Sequence, residues 1–204
     1  MNVAALLLYV LFAAVAIGAR TLVQWRRTGD TGLRMDAGPA GSLRWWAKIA
    51  FVAAIALSGA GPIAGMAGLK PLSFLDRPAW QWTGIALAVV GIAATAAAQL
   101  AMGNSWRIGV DPSEKTALVI GGPFALARNP IFTAFLVASA GLTLMVGNIV
   151  AVLGFMALLA AVEMQVRLVE EPYLSRLHGA EYGRYASRVG RFVPLVGRLG
   201  VKSR

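Results

Sequence analysis

Apolar residues run through residues 3–23, 45–69, 80–102 and 131–169, separated by short polar stretches. A helix needs ~20 residues to cross ~30 Å of hydrocarbon, so each of the first three runs predicts one span. The fourth is nearly twice as long, and Gly147-Asn148 near its middle is its only turn-like dipeptide. That pattern predicts a tight antiparallel hairpin with arms 131–147 and 148–169. The first arm, at about 17 residues, lies at the lower end of the spanning range. The expected fold class is therefore all-α: a polytopic membrane protein with about five transmembrane helices, a C-terminal helical hairpin and an amphipathic helix beyond it.

Composition supports a membrane protein, since 58% of the 204 residues are hydrophobic and only 14% are charged. Charge placement adds an orientation. Lys70 and Arg77 lie in the second loop, and all the other lysines and arginines fall in the first loop, the third loop, the tail or their flanks. The positive-inside rule then puts the N-terminus outside and the C-terminus in the cytoplasm, with the inner membrane as the expected location. Basic residues follow the first apolar run and no clean cleavage site ends it, which favours a retained helix over a signal peptide. The net charge of +10 sits at helix ends on one membrane face. Anionic membrane lipid accounts for it without nucleic acid. The chain has no cysteine and a single histidine, His178, which excludes disulfides, thiol catalysis and the usual zinc sites. No metal is expected, and chemistry falls to Arg, Glu, Tyr, Asn and backbone groups.

Within the spans, Gly61, Pro62 and Gly65 form a small-residue face with a possible kink, read as helix packing. Gly84, Gly91, Ala94 and Ala98 predict a second smooth face, and Gln99 is the one strongly polar residue of its span. The first loop, 26–44, reads as either poorly structured or a cytoplasmic cap, without a site. The chain divides into a three-helix scaffold, 1–102, and a functional region, 103–204.

Two polar segments flank the hairpin. In the first, Asp111-Pro112 predicts a turn and Ser113 with Glu114 the start of a short helix. Next, Gly121-Gly122-Pro123 precedes one helical turn over 124–128, and Pro130 suits the first turn of the fourth span with Asn129 as its cap. In the second, Glu163, Arg167 and Glu170 or Glu171 share a helical face, with Glu163 and Arg167 as an ion pair. Beyond Gly179, Tyr182, Tyr185 or Ala186, and Val189 fall on one face, while Glu181, Arg184 and Arg188 fall on another. This predicts either a helix lying on the membrane or a lid over a ligand.

GGPFALARNP at 121–130, then EEPYL, HGAEYGRY and RVGRFVP after the hairpin, resembles the isoprenylcysteine carboxyl methyltransferases and their phospholipid methyltransferase relatives. The resemblance covers about 103–194. Such proteins are integral-membrane enzymes that use S-adenosylmethionine without a Rossmann domain, and this chain has no glycine-rich fingerprint after a strand. The resemblance implies a cofactor site built from Gly121, Gly122, Pro123, Phe124, Arg128, Asn129, Pro130, Glu170, Tyr182 and Tyr185. It implies methyl transfer at the cytoplasmic face to a lipophilic acceptor, either a prenyl or isoprenoid carboxylate or another lipid head group. Arg188 or Arg107 would orient an acceptor carboxylate through a bidentate contact. Glu171 or His178 would serve as base for a hydroxyl or amine. Asn129 stands where the family usually has histidine, and it can hydrogen-bond but not titrate. Two other readings stay open at this point: an NADPH-dependent membrane reductase of the steroid-reductase type, and a non-catalytic membrane scaffold.

Overall fold

The computed structural model describes residues 1–34, 38–108 and 117–200, so the predicted Asp111-Pro112 turn and the helix start at Ser113-Glu114 lie outside the described residues. The first apolar run is one helix, Asn2–Thr28, in which α1 (Asn2–Ala13) passes through a π-helical turn (Ala14–Ala19) into α2 (Arg20–Thr28). Three more apolar helices follow as α3 (Leu43–Met66), α4 (Pro78–Ala101) and α5 (Pro130–Val146). The helix α6 (Ile149–Met164) continues through a second π-helical turn (Gln165–Glu170) into α7 (Glu171–Arg188). Among the described residues, four helices are long and apolar enough to span a membrane, and α5, with 17 residues, is a shorter apolar helix. Helical geometry runs unbroken from Ile149 to the residue before Gly179; at 1.5 Å per residue that is about 45 Å, longer than the ~30 Å of hydrocarbon, so its end projects past the membrane. The chain bends at Gly179, whose φ of 50° and ψ of −121° suit a residue without Cβ.

The bundle pairs α4 with α5 and α3 with α6. Lipid tails are as apolar as leucine, so membrane helices associate through close packing over small residues. A Cβ added at Gly84 would lie 2.6 Å from the Gly141 carbonyl oxygen, and one at Gly61 would lie 2.8 Å from the Ala151 Cβ. Gly154 approaches the Ser58 backbone in the same way. The buried stripe of α4 is Gly84, Ala88, Gly91, Thr95 and Ala98, whereas Ala94, predicted on this face, is exposed. The alternating spacing of four and three places Thr95 on the seam and turns Ala94 to its side.

Gly147-Asn148 makes the predicted hairpin turn. Gly147 adopts the left-handed conformation at φ 66°, and its N–H donates to the Thr143 carbonyl at 2.7 Å. The fully buried Asn148 accepts from the Ala151 N–H at 2.9 Å and donates through Nδ2 to the Gly61 carbonyl at 2.9 Å. Its side chain caps α6 and ties the turn to α3. At the opposite end of the hairpin, Asn129 occupies the N-cap position of α5 but its side chain makes no cap bond. Its Nδ2 donates instead to the Arg191 carbonyl at 3.1 Å. The described part of the first loop is tied down rather than loose. Arg34 pairs with Asp30 at 2.5 Å, Ile108 N–H donates to the Gly32 carbonyl and Arg34 N–H to the Ile108 carbonyl. The Arg34 hydrogen bond holds the Asp30 carboxyl well below the usual carboxylate range.

A Gly84→Val substitution would drive a side chain into backbone atoms of α5 that cannot yield. The expected loss is about 1–3 kcal/mol, read as a lower melting temperature in detergent. Gly183→Ala, inside α7 with no atom within 4 Å of the added carbon, should not lower the melt and should raise it slightly, since alanine is favoured over glycine in a helix.

Candidate functional site

The two polar segments meet at the end of the hairpin away from Gly147. Pro123 opens a short 3₁₀ turn (Gly122–Ala125), and Arg128 follows just before α5. The Arg128 side chain is 1% exposed. Its Nη2 donates to Glu171 Oε1 at 2.6 Å and to the Gly197 carbonyl at 3.0 Å; Nη1 donates to the Ala186 and Val189 carbonyls at 2.9 and 2.8 Å. Arg191 grips the same carboxylate from the tail, Nε to Oε1 and Nη2 to Oε2, both at 2.8 Å. Glu171 thus sits between two guanidinium groups, the arrangement that makes a buried carboxylate tolerable. The Glu171 hydrogen bonds raise the Arg191 guanidinium further above its already high ordinary value. Arg191 is charged at any working pH.

Backbone bonds reinforce this cluster. Past α7 the chain turns extended at Val189 and forms a parallel bridge with the segment before α5, pairing Ala127 with Gly190. Arg128 N–H donates to the Gly190 carbonyl at 2.8 Å and Asn129 N–H to the Arg191 carbonyl at 3.0 Å. Thr133 Oγ1 donates to the Phe192 carbonyl at 2.6 Å. On the inner face of α7, Tyr182 is 1% exposed and meets Tyr185 edge-to-face with centroids 6.2 Å apart. The Tyr185 hydroxyl donates to the Phe124 carbonyl at 2.7 Å. α7 therefore packs its tyrosine face on the third loop, while Glu181, Arg184 and Arg188 face outward.

Of the residues singled out from sequence, Phe124, Arg128, Asn129, Glu171, Tyr182 and Tyr185 come together at this junction. Gly121, Gly122, Pro123 and Pro130 line the loop and helix start beside it. Glu170, next to Glu171 but on a different side of the helix, accepts from Gln165 Nε2 at 3.2 Å. Arg188 is exposed. Arg107 bonds carbonyls of its own loop, Asn104 and Trp106, at 2.9 and 2.8 Å. Glu163 and Arg167 form the anticipated i,i+4 ion pair. Arg191 and Thr133 were not singled out as site residues. The motif RVGRFVP carries Arg191 three residues after Arg188, but only the tail's return to the loop reveals its carboxylate partner.

The buried Arg128 Nε has no hydrogen-bond partner among the described residues. Gly121 has open space where a Cβ would stand, and Gly122 has φ 58° with Ala101 as its nearest neighbour at 3.9 Å. An apolar cavity of about 50 Å³ lies elsewhere in the bundle, among Tyr9, Phe12, Ile55, Phe135, Leu142 and Leu158. It touches none of the junction residues and is too small for a lipid chain.

The fold and site define a polytopic α-helical membrane protein whose polar centre is assembled at one end of a helical hairpin. Residues 79–181, half of the chain, match the phospholipid methyltransferase family. The protein belongs to that family. It is 30% identical over 115 residues to protein-S-isoprenylcysteine O-methyltransferase A of Arabidopsis thaliana, covering 55% of this chain and 58% of that protein. Its fold is similar to that of the eukaryotic intramembrane Ras methyltransferase, an isoprenylcysteine carboxyl methyltransferase, with a TM-score of 0.57 at 18% identity. That match covers 89% of this chain and 62% of the other. The chain thus spans about three fifths of the length of these two relatives.

Removing the shared carboxylate should be severe. Glu171→Leu leaves two guanidinium groups without their anion, and breaking a buried pair in this way costs about 3–5 kcal/mol. Thermal unfolding in detergent reads the loss, and an unchanged melt would show that the cluster contributes nothing to stability.

Proposed function

We propose that this protein transfers a methyl group from S-adenosylmethionine to a lipophilic acceptor at the cytoplasmic membrane face. One observation carries the reading. Arg128 and Glu171, both inside the segment that matches the family, join the third loop to α7 and close the tail over them. The inventory suits the cofactor: Arg128 Nε is a buried donor without a partner, and the Gly121-Gly122 backbone is unobstructed. Arg128 and the start of α5 at Asn129-Pro130 would hold its carboxylate, Glu170 its ammonium or ribose hydroxyls, and Phe124, Tyr182 and Tyr185 its adenine. When bound, it supplies an electrophilic methyl carbon on a sulfonium, to which the acceptor's nucleophilic atom bonds as the carbon–sulfur bond breaks.

The chain's own contribution is then alignment, and ordered reactants can save about 7–11 kcal/mol of barrier. Arg107 or Arg188 is proposed to orient the acceptor's carboxylate. Glu171 would take the proton from a hydroxyl or amine acceptor. Both of its oxygens are already occupied by Arg128 and Arg191, which favours an acceptor that needs no base, namely a carboxylate. The concentration of basic residues in the first and third loops and the tail supports a cytoplasmic site in the inner membrane, with access sideways from the lipid.

Calorimetry on purified protein should show saturable binding of S-adenosylmethionine or S-adenosylhomocysteine, and absence of binding at millimolar ligand would overturn the cofactor assignment. Incubation with labelled methyl donor and native lipid extract should then yield one labelled lipid ester by mass spectrometry.

A further inference from the structure

The first helix lies outside the segment that matches the family, yet it carries two of the four buried polar side chains among the described residues of the scaffold, Thr95 and Gln99 of α4 being the others. Arg20 and Gln24, one turn apart just after the π-helical turn, are 3% and 0% exposed. Both are spent on the end of α4. Arg20 Nε donates to the Gln99 carbonyl at 3.3 Å and Nη2 to the Gly103 carbonyl at 2.5 Å; Gln24 Nε2 donates to the Asn104 carbonyl at 3.1 Å. Gln99 Nε2 reciprocates on the Ala16 carbonyl at 2.9 Å. The Arg20 guanidinium also lies 4.6 Å from the ring centroid of Trp106, itself 1% exposed.

Two physical facts give this arrangement its meaning. The last carbonyls of a helix lack partners and carry its negative end, so a cation placed there is favoured. Yet Arg20 has no carboxylate partner among the described residues, and Arg20 Nη1, Gln24 Oε1, Thr95 Oγ1 and Gln99 Oε1 remain buried without a bond. A network left this incomplete is a poor stabiliser compared with apolar packing. Its effect is to fix a geometry. The bend it holds, residues 103–106, leads directly into Arg107, whose Nη1 bonds the same Asn104 carbonyl that Gln24 holds. Ala101, the last residue of α4, is also the nearest neighbour of Gly122.

We infer that Arg20, seconded by Gln24, is a positioning residue of the methyl-transfer site: it locks the exit from α4 so that Arg107 meets the acceptor in a set orientation. This rests on the function proposed above. The test uses the whole chain in detergent, labelled with 5-fluorotryptophan, the Trp106 resonance being assigned through Trp106→Phe. Arg20→Gln should shift and broaden that resonance and leave those of Trp80 and Trp82, at the other end of α4, in place. It should lower kcat roughly 10- to 100-fold, since a displacement near 1 Å can cost about a hundredfold. The acceptor KM should rise while cofactor affinity by calorimetry stays unchanged, and Arg20→Lys, which keeps a cation at the carbonyls, should recover part of the rate. A merely structural role would move every fluorine resonance and cofactor binding together.

An unmoved Trp106 resonance, or a fall in kcat with no change in acceptor KM, overturns the inference. Where Arg20→Gln does not fold, Gln24→Met, which removes only the bond to Asn104, is read by the same criteria. A wild-type chain that transfers no methyl group to any lipid removes the function on which the inference rests. That outcome is told apart from failure of the clamp, because the fluorine spectrum does not depend on turnover.

Discussion

Glu171 between Arg128 and Arg191 is the constraint on which the polar half of this protein depends. A carboxylate and a guanidinium buried near a membrane are each costly alone, and only their mutual contact makes either acceptable. Because Arg128 stands just before α5, Glu171 opens α7 and Arg191 lies in the tail, satisfying one charge brings three separate parts of the chain to one point. Arg128 adds carbonyls at both ends of the tail's return, Ala186 and Gly197. The loop and tail therefore order together or not at all. The tyrosine face of α7 is laid on the third loop as a consequence of the same closure.

The apolar bundle supplies the frame for that closure. Its helices approach through glycine and alanine on α3, α4, α5 and α6, so their mutual distances are set by backbone contact rather than by flexible side chains. A frame of that kind holds the ends of α5 and α6 at a constant separation. The loop and tail that carry charge can then be short of regular structure and still be placed accurately, because each leaves from a rigid helix end.

Much of this architecture was readable along the chain, for reasons that differ by level. Long apolar runs announce spans because lipid tolerates few other structures. Gly147-Asn148 marks the hairpin because a left-handed residue followed by a capping asparagine is a local signal. Local rules failed where a distant segment claimed the side chain. Asn129 looks like a cap, but the tail's Arg191 carbonyl, 62 residues away in sequence, takes its amide. The stripe on α4 runs through Thr95 rather than Ala94, a choice of register that size alone does not reveal. Arg191 and Arg20 were both visible as basic residues at helix flanks, where orientation in the membrane was reason enough for them. Their partners, Glu171 for one and the end of α4 for the other, exist only after the helices are packed. Family motifs group residues that meet in space without a common local pattern, such as Arg128, Glu171 and Tyr182.

The buried amide of Asn148 bears on how the protein is made. One end of that side chain is satisfied within its own hairpin, by Ala151, but the other needs the Gly61 carbonyl of α3. During synthesis α3 enters the bilayer first, and α5, with only 17 residues, is a marginal span by itself. The last two helices therefore gain from inserting as a pair, with the turn seeking out a helix already in place. The Asn148 amide is satisfied at both ends only when the hairpin lies on α3, so the turn carries its own test of correct docking.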